Sequence, residues 1–206
     1  MAQIPDTIDI PSPNDTQFPI HSDGQHAMLC VDVINLGHKV EQYQNNPPRL
    51  TMKCAIVWAS GERAPDGRLL TVSKELTVSM NTNSAGVPSS LRKLLGDWRG
   101  KEYSEDEAKN PPPLSKLSGV PALITVQHKP NKAGTRLYAN ILTVAKCPPI
   151  MAREIGDVSE YTRGEWWDKR KAEYAEGVAK HHAAQPKKPS HSPSMDEPSG
   201  DDDLPF

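Results

Sequence analysis

Between residues 26 and 146 the chain carries several runs of period two and one of period 3.6. Met28 to Ile34 reads as a strand, Gly37 permits a bulge or sharp bend, and Val40 to Tyr43 continue the same long element. Asn45, Asn46, Pro47 and Pro48 make a turn. Residues 50–59 then alternate, with Leu50, Met52, Cys54, Ile56 and Trp58 on one face and Thr51, Lys53, Ala55, Val57 and Ala59 on the other. Which face points inward is left open by the pattern. After a turn at Pro65, Asp66 and Gly67, a third run sets Leu70, Val72, Leu76, Val78 and Met80 against Thr71, Ser73, Glu75, Thr77 and Ser79, with Lys74 interrupting the apolar face.

The period changes at Leu91, Leu94, Leu95 and Trp98, spaced i, i+3, i+4 and i+7, with Ser89 or Ser90 available as N-cap and Gly100 as terminator. One short amphipathic helix is expected there. Ser104 and Glu107 have the spacing of a capping box for a further turn, which Asn110 and Pro111 to Pro113 end. Two more strands, Ala122 to His128 and Arg136 to Lys146, join through Asn131, Lys132, Ala133 and Gly134.

Three strands, a helix and two strands is the element order of an OB-fold, a five-stranded, partly open Greek-key barrel with a helix between its third and fourth strands. The expected fold class is therefore mainly β. Residues 1–25, with Pro5, Pro11, Pro13 and Pro19 among polar residues, read as an extended arm, and residues 26–149 as the domain. Residues 150–184 read as a possible helical extension, in which 164–182 favour helix and carry Trp166, Trp167, Tyr174 and Val178. Residues 185–206 are too polar to offset their ordering entropy and read as a disordered tail.

Charge sharpens this division. Residues 26–146 carry 16 Lys and Arg against 10 Asp and Glu, whereas residues 151–206 carry 8 against 12. A basic body followed by an acidic end suits a polyanion binder whose tail is addressed elsewhere. No apolar run approaches the roughly 20 residues that span a bilayer, so the expectation is a soluble, cytoplasmic protein without a membrane partner. Cys30, Cys54 and Cys147 lack metal-ligand spacing and read as reduced, buried thiols.

The most specific motif is Asp201, Asp202, Asp203, Leu204, Pro205 and Phe206. An aromatic ring can fill an apolar pocket while the neighbouring carboxylates and the α-carboxylate meet Lys or Arg around its rim. This motif is similar to the acidic C-terminal tip of bacterial single-stranded DNA-binding proteins, with Leu204 in place of isoleucine. The body resembles the OB-fold single-stranded DNA-binding proteins encoded by bacteriophages, in "IVWASGE", "DGRLLTVSKELTVSM", "SSLRKLLGDWRGK", "GVPALITVQHK" and "TRLYANILTVAKCP". The resemblance implies a protein that coats single-stranded DNA during replication, recombination or repair in a bacterial host cell. Its tip would recruit a polymerase, helicase, primase or nuclease. Residues 150–182 have no counterpart in it.

Single-strand binding needs cations that track phosphates and exposed rings on which bases stack. Lys53, Arg68, Lys74, Lys129, Lys132 and Arg136 are the candidate phosphate contacts, with Lys74 foremost. Tyr43, Trp58 and Tyr138 are the candidate stacking rings. Trp58 shares its face with Met52, Cys54 and Ile56, so core burial competes with stacking there. Trp98 lies on the apolar helix stripe and reads as a core anchor, while Arg92, Lys93 and Arg99 read as a solvated face. Trp166 and Trp167, near Lys169, Arg170 and Lys171, either extend the DNA path or pack on the barrel or another subunit.

Phosphate-cradling loops, zinc-deaminase spacing and a nucleophile elbow do not occur in the sequence, and no enzyme activity, metal or cofactor is expected. His181, His182 and His191 sit in low-complexity sequence. A competing expectation is an adaptor whose OB-like module docks on replication proteins without touching DNA. The oligomeric state is not encoded in these patterns.

Overall fold

The structure is a computed structural model that describes residues 19–134 and 136–184. Its β-strands are β1 (Gly24–Glu41), β2 (Arg49–Ala59), β3 (Val72–Thr77), β4 (Pro121–Pro130) and β5 (Leu137–Lys146). They form one open antiparallel sheet in the order β3-β2-β1-β4-β5. Helices α1 (Ser90–Arg99) and α2 (Glu105–Lys109) lie between β3 and β4, and α3 (Pro149–Ala152) and α4 (Trp166–Ala184) follow β5. The expected three strands, helix and two strands are all present.

β1 is long because it serves two partners. Its first residues pair with β4, from Gly24 opposite Val126 to Leu29 opposite Pro121, and its remainder pairs with β2, from Leu29 opposite Ala59 to Glu41 opposite Arg49. The register slips between Cys30 and Asp32 and again between Asn35 and Gly37. At the second slip Gly37 has φ +79°, and its N–H donates to Asn35 Oδ1 at 2.9 Å. The bend expected at Gly37 thus has a backbone that glycine adopts without a steric penalty. With this bending, the edge strands β3 and β5 come into contact across the opening of the sheet.

One face of the sheet holds the main core. Cys54, Ile56 and Trp58 of β2 meet Leu91, Leu94, Leu95 and Trp98 of α1, together with Ile124, Val126, Ile141 and Val144. The local signals in α1 are realised: Ser89 Oγ accepts from the Arg92 N–H at 3.3 Å, and Gly100 closes the helix at φ +74°. The capping box of Ser104 and Glu107 also forms. The solvated face expected of α1 needs a correction at Arg92. This side chain is buried, donating to Tyr103 O at 2.6 Å and pairing with Glu105 Oε1 at 2.9 Å, so it ties α1 to the following segment. Arg99 stacks over the Tyr103 ring at 3.6 Å and pairs with Glu107, whose carboxyl it pulls down to about 2.

The opposite face of β1 and β2 is buried as well. Ile34, Leu36, Ala55 and Val57 lie under Trp167 and Tyr174 of α4. Polar anchors surround this contact. Tyr174 Oη donates to Glu75 Oε1 at 2.6 Å, and Lys39 Nζ sits 5.2 Å from the Tyr174 ring centre. Arg163 donates twice to Asp32, at 2.7 Å each, and Tyr161 Oη donates to the same carboxylate at 3.0 Å. Burial pushes the Asp32 pKa up, but these donors outweigh it and hold the group below the usual carboxylate range.

The chain reaches α4 by crossing the exit of β2. Gly156 N–H donates to Ser60 O at 2.8 Å, and a Cβ added at Gly61 would stand 2.6 Å from the Gly156 Cα. Two glycines meet there because no side chain fits between the backbones. Cys30, Cys54 and Cys147 are free and buried, as expected, and burial raises the Cys30 and Cys54 thiols to about 12 and about 11. No helix among the described residues is long and apolar enough to cross a membrane.

Candidate nucleic-acid interface

The candidate residues separate into an enclosed group and an exposed group, because β2 is buried on both faces while the hairpin ends project from the sheet. Trp58 is fully enclosed, its ring 5.5 Å from that of Trp98. Core burial is the alternative realised, and Trp58 leaves the set of stacking platforms. Its Nε1–H is buried without a hydrogen-bond partner among the described residues. Lys53 requires a second correction. It lies on the α4 side of β2, 8% exposed, with Nζ 2.7 Å from both Glu41 Oε1 and Thr77 Oγ1. A lysine committed to this internal pair does not reach a phosphate. The hydrogen bond from Lys53 is also the main reason that the Glu41 pKa lies below its ordinary value.

Lys74 does interrupt an apolar face. It stands opposite Ile56, between the buried Val72 and Leu76, on the core side of the edge strand β3. Partly exposed at the opening between β3 and β5, it blunts an edge that would otherwise invite pairing, while remaining open to solvent.

The β4–β5 hairpin gathers several candidates. Tyr138 lies opposite Lys129 in the ladder and is 53% exposed, and Lys132 and Arg136 sit exposed in the connecting turn. A ring and a cation side by side on one sheet face match the two needs of a single strand. The β1–β2 hairpin carries Tyr43, 69% exposed, and Arg49, which line one shallow pocket. Arg68 is exposed on the β2–β3 connection and pairs at 2.6 Å with Asp66. The tip residues Asp201 to Phe206, with the rest of 185–206 and residues 1–18, lie outside the described residues.

The pattern did not single out the docking of residues 19–23. His21 is buried, with Nε2 2.8 Å from Ser60 Oγ and Nδ1 3.1 Å from Glu62 Oε2, while His128 Nε2 bonds His21 O at 2.8 Å. Burial lowers the His21 pKa, against the pull of Ser22 and Glu62. His21, His26 and Glu62 bring ligand atoms within 4.8 Å of one another. Glu62 already accepts from the Ser22 N–H and Oγ–H, at 3.0 and 2.7 Å, so this cluster reads as a hydrogen-bonded clasp between the arm and the exit of β2.

No protein-family model, curated protein or solved structure matches the chain.

Proposed function

We propose that the chain is a non-enzymatic single-stranded DNA-binding protein whose sheet is an OB barrel left open between β3 and β5. The strand order β3-β2-β1-β4-β5, with β1 shared between β2 and β4, supports the barrel: joining the two edges would give a closed five-stranded ring. The observation that carries the functional reading is the exposure of rings and cations on the two hairpins that OB modules use for oligonucleotides. Tyr43 and Arg49 occupy the first, and Lys129, Lys132, Arg136 and Tyr138 the second. Lysine and arginine release counterions from the phosphates, and tyrosine faces hold bases with little sequence preference.

In this reading the strand is coated during replication, recombination or repair, in a bacterial host cell if the protein is phage-encoded. The acidic segment Asp201–Phe206 is the ligand for a polymerase, helicase, primase or nuclease. A gel-shift titration with oligo-dT at two salt concentrations tests the proposal. Tight binding that weakens with salt supports it, and no shift at low salt rejects it.

One observation favours the adaptor reading: α4 covers the outward face of β1 and β2, where an OB module would lay its strand. In that case the hairpin side chains contact a protein, and the same titration gives no shift.

A further inference from the structure

The face taken by α4 is replaced, at the N-terminal end of that helix, by a new surface. There the β2–β3 connection and residues 160–167 enclose a cleft of about 370 Å³, lined among others by Arg63, Arg68, Tyr161, Trp166 and Trp167. Trp167 is buried against the sheet, and Trp166 stacks on it with ring centres 3.6 Å apart and planes 28° from parallel. Gly164 lies under the edge of the Trp166 ring: a Cβ there would come within 3.0 Å of its Cδ1. The outer indole is thus held in a fixed pose by a buried partner and a bare backbone, yet it remains 49% exposed.

A large flat ring, immobilised and half in water beside guanidinium groups, is what a nucleobase needs for stacking at low entropic cost. The cations are placed for the phosphate that follows. Arg68 is mostly exposed and pairs with Asp66, also exposed, an ion pair weak enough for a phosphate to displace. Arg63 is fixed by Gly67 O at 3.0 Å and Glu160 Oε2 at 2.7 Å, so it shapes the wall while Arg68 exchanges partners.

We propose that this cleft is a nucleotide subsite for single-stranded DNA, with a base stacked on Trp166 and its phosphate on Arg68. The subsite rests on the single-strand-binding reading above and extends it to a surface built by the C-terminal helix.

The four tryptophans make the test direct. Trp58, Trp98 and Trp167 are 0, 4 and 4% exposed, so a base that quenches indole fluorescence on binding does so at Trp166. The full-length protein is titrated with labelled oligo-dT at low salt, following DNA anisotropy and tryptophan emission together. The expected result is binding with quenching, loss of the quenching but not of the binding in Trp166→Phe, and an affinity roughly fivefold or more weaker in Trp166→Ala. Circular dichroism confirms that both variants keep their fold, which the exposure of Trp166 favours.

Binding without quenching, or with Trp166→Ala at wild-type affinity, overturns the subsite and leaves the broader reading standing. No anisotropy change at all overturns both. Quenching by a peptide of residues 196–206 but not by oligo-dT assigns the cleft to an acidic peptide and likewise overturns the subsite.

Discussion

Trp167→Ala should release α4 from the sheet while leaving the sheet folded. Trp167 is 4% exposed and, with Tyr174, is one of two buried residues in the 19-residue α4. A buried tryptophan removes on the order of 150–250 Å² from water, worth about 4–6 kcal/mol at roughly 25 cal/mol per Å². Measured truncations of this kind fall at about 3–5 kcal/mol. An isolated helix of this length is marginal in water, so α4 has little stability of its own to set against that loss. The sheet has its own core with α1 on the other face, which the substitution does not touch. Global stability should therefore fall by less than the full amount, because α4 undocks first. In native-state hydrogen exchange, α4 amides should lose protection by about two orders of magnitude or more, the factor that corresponds to roughly 3 kcal/mol, while β2 amides change far less. Unchanged protection in α4 would refute the argument, and so would an equal loss across α4 and β2.

Three further outcomes follow from the same geometry. Trp58→Ala should lower the urea-unfolding free energy by about 3–5 kcal/mol, since the whole ring lies in the core against Trp98. An unchanged midpoint together with weakened DNA binding would restore Trp58 as a platform. Because burial lowers the His21 pKa below its ordinary 6.5, the unfolded chain takes up a proton that the folded chain refuses. Stability should be level above that pH and decline as pH falls through it, before the carboxylates Asp32 and Glu41 begin to act near and below their ordinary 3.8 and 4.5. Urea midpoints between pH 7.5 and 5 should show the decline in the wild type and a flatter profile in His21→Gln, and a flat wild-type profile would contradict it. Deleting residues 196–206 should abolish partner capture and leave DNA affinity equal or higher, whereas weaker DNA binding on removal of this acidic segment would count against electrostatic competition by the tail.

Local chemistry made much of the fold legible in advance. The helix cap, for which Ser89 and Ser90 were both available and Ser89 is used, the Gly100 stop and the Ser104–Glu107 box are interactions within a few residues, and each forms. The strands follow their alternation, and the Gly37 bend follows from the one residue that permits it at no steric cost. The burial of β2 on both faces was harder to read. From Cys54 to Ala59 every residue is apolar, the mark of a strand covered on both sides, yet alternation was read as one inward and one outward face, with the choice between them left open. The covering element is more than 100 residues away in sequence, and only its pairing with Ile34, Leu36 and Val57 gives Trp167 and Tyr174 their role.

Side-chain roles were least legible where a distant partner decides them. Lys53 is a surface cation by pattern and an internal one by its pairing with Glu41, twelve positions earlier and across the hairpin. His21 sits in a proline-rich arm, and nothing nearby announces that Ser60, Glu62 and His128 close around it. Tyr138 could be placed on a strand and Lys129 only just beyond one, and their position opposite each other depends on the extent of β4 and on its register with β5. The Trp166 cleft was visible only as an adjacent tryptophan pair, since its other wall is the β2–β3 connection.

In the proposed function, exposed cations and rings hold a single strand through phosphate neutralisation and stacking, and the salt dependence of oligo-dT affinity reads that mode of binding. If three to five of Arg68, Lys74, Lys129, Lys132 and Arg136 meet phosphates, log Kobs against log salt should fall with a slope of about −2 to −3.5, at roughly 0.7 per phosphate. A duplex of equal length should bind more weakly throughout. Absence of binding in dilute buffer, an affinity indifferent to salt, or equal affinity for the duplex would contradict the account.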